Sequence, residues 1–132
     1  MVSVKRFEEM DVWKKSRLMV KMIYQMTNKP EFSKDWQLVN HIRKTAISIV
    51  SNISEGFERD GNKEFINFLS IAKGSCGELR CQLYMALDQN YIDDNQFMEI
   101  SNLATEISKS LKGLMNYLQD SDLKGIKNKK RS

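Results

Sequence analysis

The last third of the chain carries an apolar repeat that only one kind of secondary structure can use. Phe97, Ile100, Ala104, Ile107, Leu111, Leu114 and Leu118 recur at alternating spacings of three and four residues. At 3.6 residues per turn this draws one stripe down a helix, and so long a stripe needs partner helices to cover it. The run Asp93-Asp94-Asn95-Gln96 stands just before it. An aspartate N-cap and a glutamine three residues on satisfy each other's exposed amides, which predicts a helix over about 94–119.

The same spacing recurs upstream. Trp36, Val39, Arg43, Ala46, Val50, Ile53 and Phe57 predict a helix over about 34–59, capped by Ser33. Ile42 and Ile49 lie beside that stripe, so the apolar surface is wider than one seam and offers a second contact. Phe65, Phe68, Ala72, Cys76, Leu79, Leu83 and Ala86 follow the turn residues Asp60-Gly61 and predict a helix over about 62–89, capped by Asn62. Val12, Trp13, Met19, Val20, Met22, Ile23 and Met26 predict one over about 10–28, which stops before Lys29-Pro30 because a residue preceding proline avoids the helical region. Met19, Met22 and Met26 read as core filler rather than a recognition surface. Links this short place consecutive helices side by side in opposite directions. The expected fold is therefore all-α, an antiparallel up-down-up-down four-helix bundle over residues 1–119, followed by a basic, disordered tail over 120–132.

Composition agrees, since one proline and six glycines in 132 residues are too few for a strand-and-turn architecture. No apolar run approaches the roughly 18 residues that span a bilayer, and MVSVKRFEEMD lacks the apolar segment of a signal peptide. A cytoplasmic protein without membrane contact is expected.

The net charge of +4 is unevenly spread. Residues 120–132 hold five Lys/Arg against two Asp, whereas residues 1–119 are nearly balanced. Within that body, residues 1–44 hold ten basic and five acidic side chains, and residues 45–119 hold six basic and ten acidic. A basic first third beside an acidic remainder can steer either RNA or a neighbouring subunit.

The polar residues inside the helices suggest packing rather than catalysis. Gly74, Ser75 and Gly77 interrupt the third helix, where each glycine costs about 1 kcal/mol relative to alanine, so a close helix approach is expected there. Pairing the second and third helices about the 60–61 turn sets Ala46 opposite Ser75 and Ile47 opposite Gly74. It also sets Arg43 opposite Glu78, which predicts a partly buried ion pair that holds register more than it adds stability. Asn52 and Glu55 lie in a polar run, Ser51 to Phe57, whose expected role is to close hydrogen bonds at the bundle end or a subunit interface. Asn52-Ile53-Ser54 also matches a glycosylation triplet, which carries no weight on a cytoplasmic helix. Cys76 and Cys81 are turned about 140° apart on one helix and cannot pair with each other, so both are expected as free thiols. The one histidine, His41, has no ligand partner at metal-binding spacing. No metal, cofactor, small-molecule substrate or nucleophile–base set is expected, and the chain reads as a non-enzyme.

Three stretches carry a family resemblance. Phe7-Glu8-Glu9-Met10-Asp11-Val12-Trp13 resembles the opening of the four-helix-bundle proteins encoded in intervening sequences of bacterial 23S ribosomal RNA genes. The run from Arg43 to Gly56, RKTAISIVSNISEG, is similar to that family's Arg-x-x-Ala-x-Ser-Ile-Pro-x-Asn-Ile-Ala-Glu-Gly block. Lys63-Glu64-Phe65, Phe68-Leu69, Ile71-Ala72, Gly74-Ser75, Glu78-Leu79 and Gln82-Leu83 match its third helix. The similarity spans about residues 7–118. Val50 stands where the family has proline, which should leave the second helix straighter, and Ser54 stands where it has alanine. The resemblance implies a cyclic homo-oligomer, a pentamer, associated with ribosomal RNA. A more distantly similar group serves as accessory factor to the reverse transcriptase of diversity-generating retroelements, and this chain is far less basic than that group.

Two functions follow as expectations. In the first, Lys5, Arg6, Lys14, Lys15, Arg17 and Lys21, with the tail residues Lys127, Lys129, Lys130 and Arg131, contact the phosphates of ribosomal RNA or a ribonucleoprotein. In the second, the protein is a structural adaptor assembling with itself and a protein partner.

Overall fold

The structure is a computed structural model that describes residues 4–131, with side chains through Asp122. Five helices follow a single 3-10 turn at Phe7–Glu9: α1 (Asp11–Thr27), α2 (Pro30–Ser33), α3 (Trp36–Glu58), α4 (Asn62–Asp88) and α5 (Asp94–Arg131). Among the described residues there is no strand. The four long helices form a bundle in which α3 packs along α4, α4 along α5, and α1 against both α3 and α5. None of the helices is long and apolar enough to cross a membrane, among the described residues.

Most helix ends obey local chemistry. At the start of α5 the Gln96 amide donates to Asp93 Oδ1 at 2.8 Å and the Asp93 amide donates to Gln96 Oε1 at 2.9 Å, which is the expected capping box. The cap of α3 is Asp35, whose carboxylate accepts from the Leu38 amide, and not Ser33. Ser33 is spent instead on the single turn α2, where its hydroxyl donates to the Pro30 carbonyl. Proline starts that turn because its missing N–H is not needed at a first helical position. Asn62 does not cap α4 either. Gly61 holds the cap position at φ +89°, and Asn62 reaches across to the Leu118 carbonyl and Asp122 on α5. The last helix runs on to Arg131, past the expected end near 119 and through the segment expected to be disordered. No proline interrupts it.

The core is a column of aliphatic side chains. Met19 and Ile23 from α1, Ile42, Ile49 and Ile53 from α3, Leu69, Leu79 and Leu83 from α4, and Ile107 and Leu111 from α5 are wholly buried. On α3 the buried line is thus Val39, Ile42, Ala46, Ile49 and Ile53, rotated from the expected stripe. Arg43, Val50 and Phe57 are half-buried at its flank and Trp36 is exposed. Both lines have helical spacing, but only this rotation buries two more isoleucines and keeps a guanidinium out of the core. One end of the bundle is closed by Phe32 of α2, stacked on Tyr91 at 4.8 Å, while the Tyr91 hydroxyl donates to Asp35 at 3.0 Å. That bond to a carboxylate holds the phenol above its ordinary pKa.

The close approach of α3 and α4 is made by Gly56, not by the glycines of α4. A Cβ built on Gly56 would lie 2.7 Å from Phe68 Cβ and 3.3 Å from the Phe65 carbonyl oxygen, while one on Gly74 would meet nothing within 4 Å. Ser75 does meet α3, at 3.1 Å from the Ser48 hydroxyl. Substituting Gly56→Ala is expected to destabilise by about 1–3 kcal/mol through overpacking against backbone. Gly74→Ala is expected to stabilise by about 0.5–1 kcal/mol through helix propensity. Urea midpoints of the two variants measure both.

Cys76 is buried and Cys81 exposed, both as free thiols. Burial pushes the Cys76 thiol up to about 12 from its ordinary 9.0. A thiol reagent at neutral pH is expected to modify one cysteine in the folded protein and the second only on unfolding. The unfolded chain releases the Cys76 proton near its ordinary pKa and the folded chain holds it. The contribution of this group is therefore intact below pH 9.0 and lost as pH rises towards about 12.

Candidate nucleic-acid interface

Two helices supply a face without carboxylates. Residues 12–30 hold Lys14, Lys15, Arg17, Lys21 and Lys29 and no Asp or Glu, and residues 36–54 hold Arg43 and Lys44 and again no acid. These stretches are nearly all of α1 and α3, which pack against each other. Lys14, Arg17 and Lys21, spaced by three and four, fall on one exposed side of α1. Arg43 is half-buried and Lys44 exposed on α3.

Side-chain geometry sorts the expected cations. Lys15 Nζ lies 2.6 Å from Glu106 on α5, and the hydrogen bond to that carboxylate raises the lysine pKa. It serves as a cross-helix tie rather than as a docking charge. Arg6 Nε is 3.7 Å from Glu9, whose carboxylate also accepts from the Lys5 amide, so the charge at this corner is partly cancelled. Arg17 lies over the Trp13 ring at 5.8 Å. The Trp13 indole N–H donates to Ser54 at 2.8 Å, and Ser54 donates in turn to the Val50 carbonyl, so Ser54 ties α3 to α1. The side chains of Lys127, Lys129, Lys130 and Arg131 lie outside the described residues.

Arg43 does not pair with Glu78. Its Nε donates to Thr27 at 2.9 Å, a terminal nitrogen donates to Asn28 at 2.9 Å, and the guanidinium lies 4.3 Å over the Tyr24 ring. All three partners are at the end of α1. Glu78 is exposed on α4 and accepts from Gln82, one turn away. The rotation that buries Ile42 and Ile49 carries Arg43 to the α1 side of α3, away from α4. What faces α4 is Ser48, with Asn52 donating to the Ser48 carbonyl at 2.7 Å and to its hydroxyl at 3.0 Å. Asn52 thus belongs to a hydrogen-bonded seam between α3 and α4. Glu55 pairs with Arg59 at 2.9 Å on the surface, a contact of small energetic weight.

Sequence reasoning did not single out Arg43, Lys44, Tyr24 and Trp36 as members of this face. The signal that could have found them is the absence of acids from both stretches. At the opposite end of α1 a cleft of about 940 Å³ opens between Met10, Phe57, Phe65, Leu114 and Leu118, with no Lys or Arg in its lining. Among the described residues no group of three or more His, Cys, Asp or Glu could hold a metal ion.

The family model described as 23S rRNA-intervening sequence protein matches residues 8–113. The chain belongs to that family. A crystal structure of a protein of unknown function from the S23 ribosomal protein family of Bacteroides thetaiotaomicron is similar to this chain, with a TM-score of 0.73 and 28% identity over 79% of this chain and 97% of that one. No curated protein matches. The matched residues take in the whole of α1, α3 and α4, so the acid-free face lies within the family's own fold.

The Arg43 geometry makes a prediction that the ion pair would not. Arg43→Ala is expected to destabilise by about 1–2 kcal/mol, because it removes charged hydrogen bonds and a ring contact from the α1–α3 junction. Glu78→Ala is expected to stay within about 0.5 kcal/mol of the parent. Chemical denaturation of both variants gives the comparison, and equal losses would restore the pair.

Proposed function

We propose that this protein is a non-enzymatic, homo-oligomeric subunit that binds ribosomal RNA or a ribonucleoprotein through the face shared by α1 and α3. The observation that carries this reading is the absence of carboxylates from residues 12–27 of α1 and 36–54 of α3, acids standing only at the ends of these helices, while Lys14, Arg17, Lys21, Arg43 and Lys44 remain on them. Phosphate attracts such a face over a Debye length of about 8 Å at physiological salt, with no acidic side chain of α1 or α3 between residues 12 and 54 opposing it. Family membership supports the choice of RNA over other polyanions. The bundle is read as up-down-up-down: Trp13 meets Ser54 while Thr27 meets Arg43, and Asn62 meets Leu118 while Tyr84 meets Phe97. Such pairings run in opposite senses along neighbouring helices. The expected assembly is a cytoplasmic homopentamer.

A structural adaptor is the second reading, favoured by the large apolar side chains that remain exposed, among them Ile71, Tyr84, Met85 and Met98 on α4 and α5. The two readings divide on charge. The double substitution Arg17→Glu/Lys21→Glu is expected to weaken binding of ribosomal RNA fragments at least about tenfold at low salt and to flatten its salt dependence. Filter binding over a salt series measures both, and native mass spectrometry with and without nuclease reports the oligomer and any bound RNA together. Unchanged binding in the double variant, or binding indifferent to salt, overturns the RNA reading. A stoichiometric protein partner that survives nuclease favours the adaptor.

A further inference from the structure

Trp36 is the most exposed large apolar side chain among the described residues, with 72% of its surface open. Residues around it are engaged without it. Asp35 caps α3 and accepts from Tyr91, Phe32 stacks on Tyr91, and no aromatic ring pairs with the indole among the described residues. Of the residues beside it in sequence, the exposed ones, Ser33, Lys34, Gln37 and Asn40, are all polar, while Leu38 and Val39 turn towards the core. A protein interface built round a tryptophan surrounds it with apolar or aromatic surface and few charges, and this surround does not fit that pattern.

The indole does fit the charge beside it. Arg43 follows Trp36 by seven residues, two turns further along one side of α3, which is about 10 Å at 1.5 Å per residue. Lys44 stands next to it, and across on α1 Lys21 lies one turn from Tyr24, over whose ring Arg43 is held. Tyr24 offers no free face on that side because the guanidinium covers it. Trp36 is thus an uncovered π surface at the end of a basic track; the acids next to it are already engaged, Asp35 by the Leu38 amide and Tyr91 and Glu31 by Lys34.

We infer that this face takes single-stranded RNA, with a base stacked on the Trp36 indole and neighbouring phosphates held by Arg43, Lys44 and Lys21. The inference rests on the RNA-binding reading above and narrows it. Stacking tolerates any base, because every base has a π face, and it requires an unpaired one. A duplex keeps its bases inside and gives the indole only a backbone.

The test uses the full chain, a short single-stranded RNA of mixed sequence and the duplex of the same sequence at low salt. Single-stranded RNA is expected to quench tryptophan emission and the duplex to leave it unchanged. Trp36→Leu, which keeps every charge, is expected to weaken single-strand binding about fivefold or more without altering its salt slope, and Trp36→Phe to restore most of the loss. Circular dichroism and mass in solution are compared for all three proteins. Equal single-strand affinity in Trp36→Leu, or equal quenching by duplex, overturns the inference and leaves phosphate binding by the basic face standing. A change of oligomer mass in Trp36→Leu also overturns it, by making the indole a subunit contact. If neither RNA binds at all, the broader RNA reading falls with it.

Discussion

Ile42, Ile49 and Ile53 are wholly buried on α3, and their burial sets how that helix is turned about its axis. Each is worth about 1.5–3 kcal/mol against exposure, and the competing rotation would have exchanged two of them for the Arg43 guanidinium. The rest of the surface follows from this. With the isoleucines inward, Arg43 is carried to α1, Ser48 and Asn52 are carried to α4, and Trp36 is left outside. Gly56 stays at the α3–α4 contact, where Phe68 and the Phe65 carbonyl leave no room for a Cβ.

Charge then divides along the same lines. Between residues 12 and 54, α1 and α3 keep their cations with no acid to neutralise them, apart from the reach of Glu106 on α5 to Lys15. Carboxylates concentrate on α4 and α5, where Glu78, Glu99 and Glu106 are exposed. A nearly balanced body charge therefore conceals a polarised molecule. The polarity belongs to faces that packing brings together, and a phosphate backbone responds to faces rather than to totals.

Membership of the intervening-sequence family fits a protein whose interior is ordinary and whose surface is not. The core is aliphatic, the buried hydroxyls of Ser16, Thr27 and Thr45 donate to carbonyls of their own helix, and the buried thiol is held in the protonated form. What distinguishes the molecule lies outside, in the cations of α1 and α3, the uncovered indole of Trp36 and the exposed apolar side chains of α4 and α5.

Four long helices and the Asp93–Gln96 cap were legible from the sequence, because periodicity and capping are local, whereas the short turn α2 and the caps Asp35 and Gly61 were not. Nor was the rotation of α3. Two apolar lines with the same spacing lie side by side on it, and only the neighbours that fill the core decide which one turns inward. The error passed directly to Arg43, whose partner was sought on α4 and is found on α1. The candidate site was half legible for the same reason: Lys14, Arg17 and Lys21 announce themselves as a run on one helix, while Arg43, Lys44, Tyr24 and Trp36 join them only through packing. The helices and their order were determined by the sequence alone, since they depend on residues within a few positions of each other. The faces were decided by the tertiary structure, since which side of a helix meets water depends on every helix packed against it.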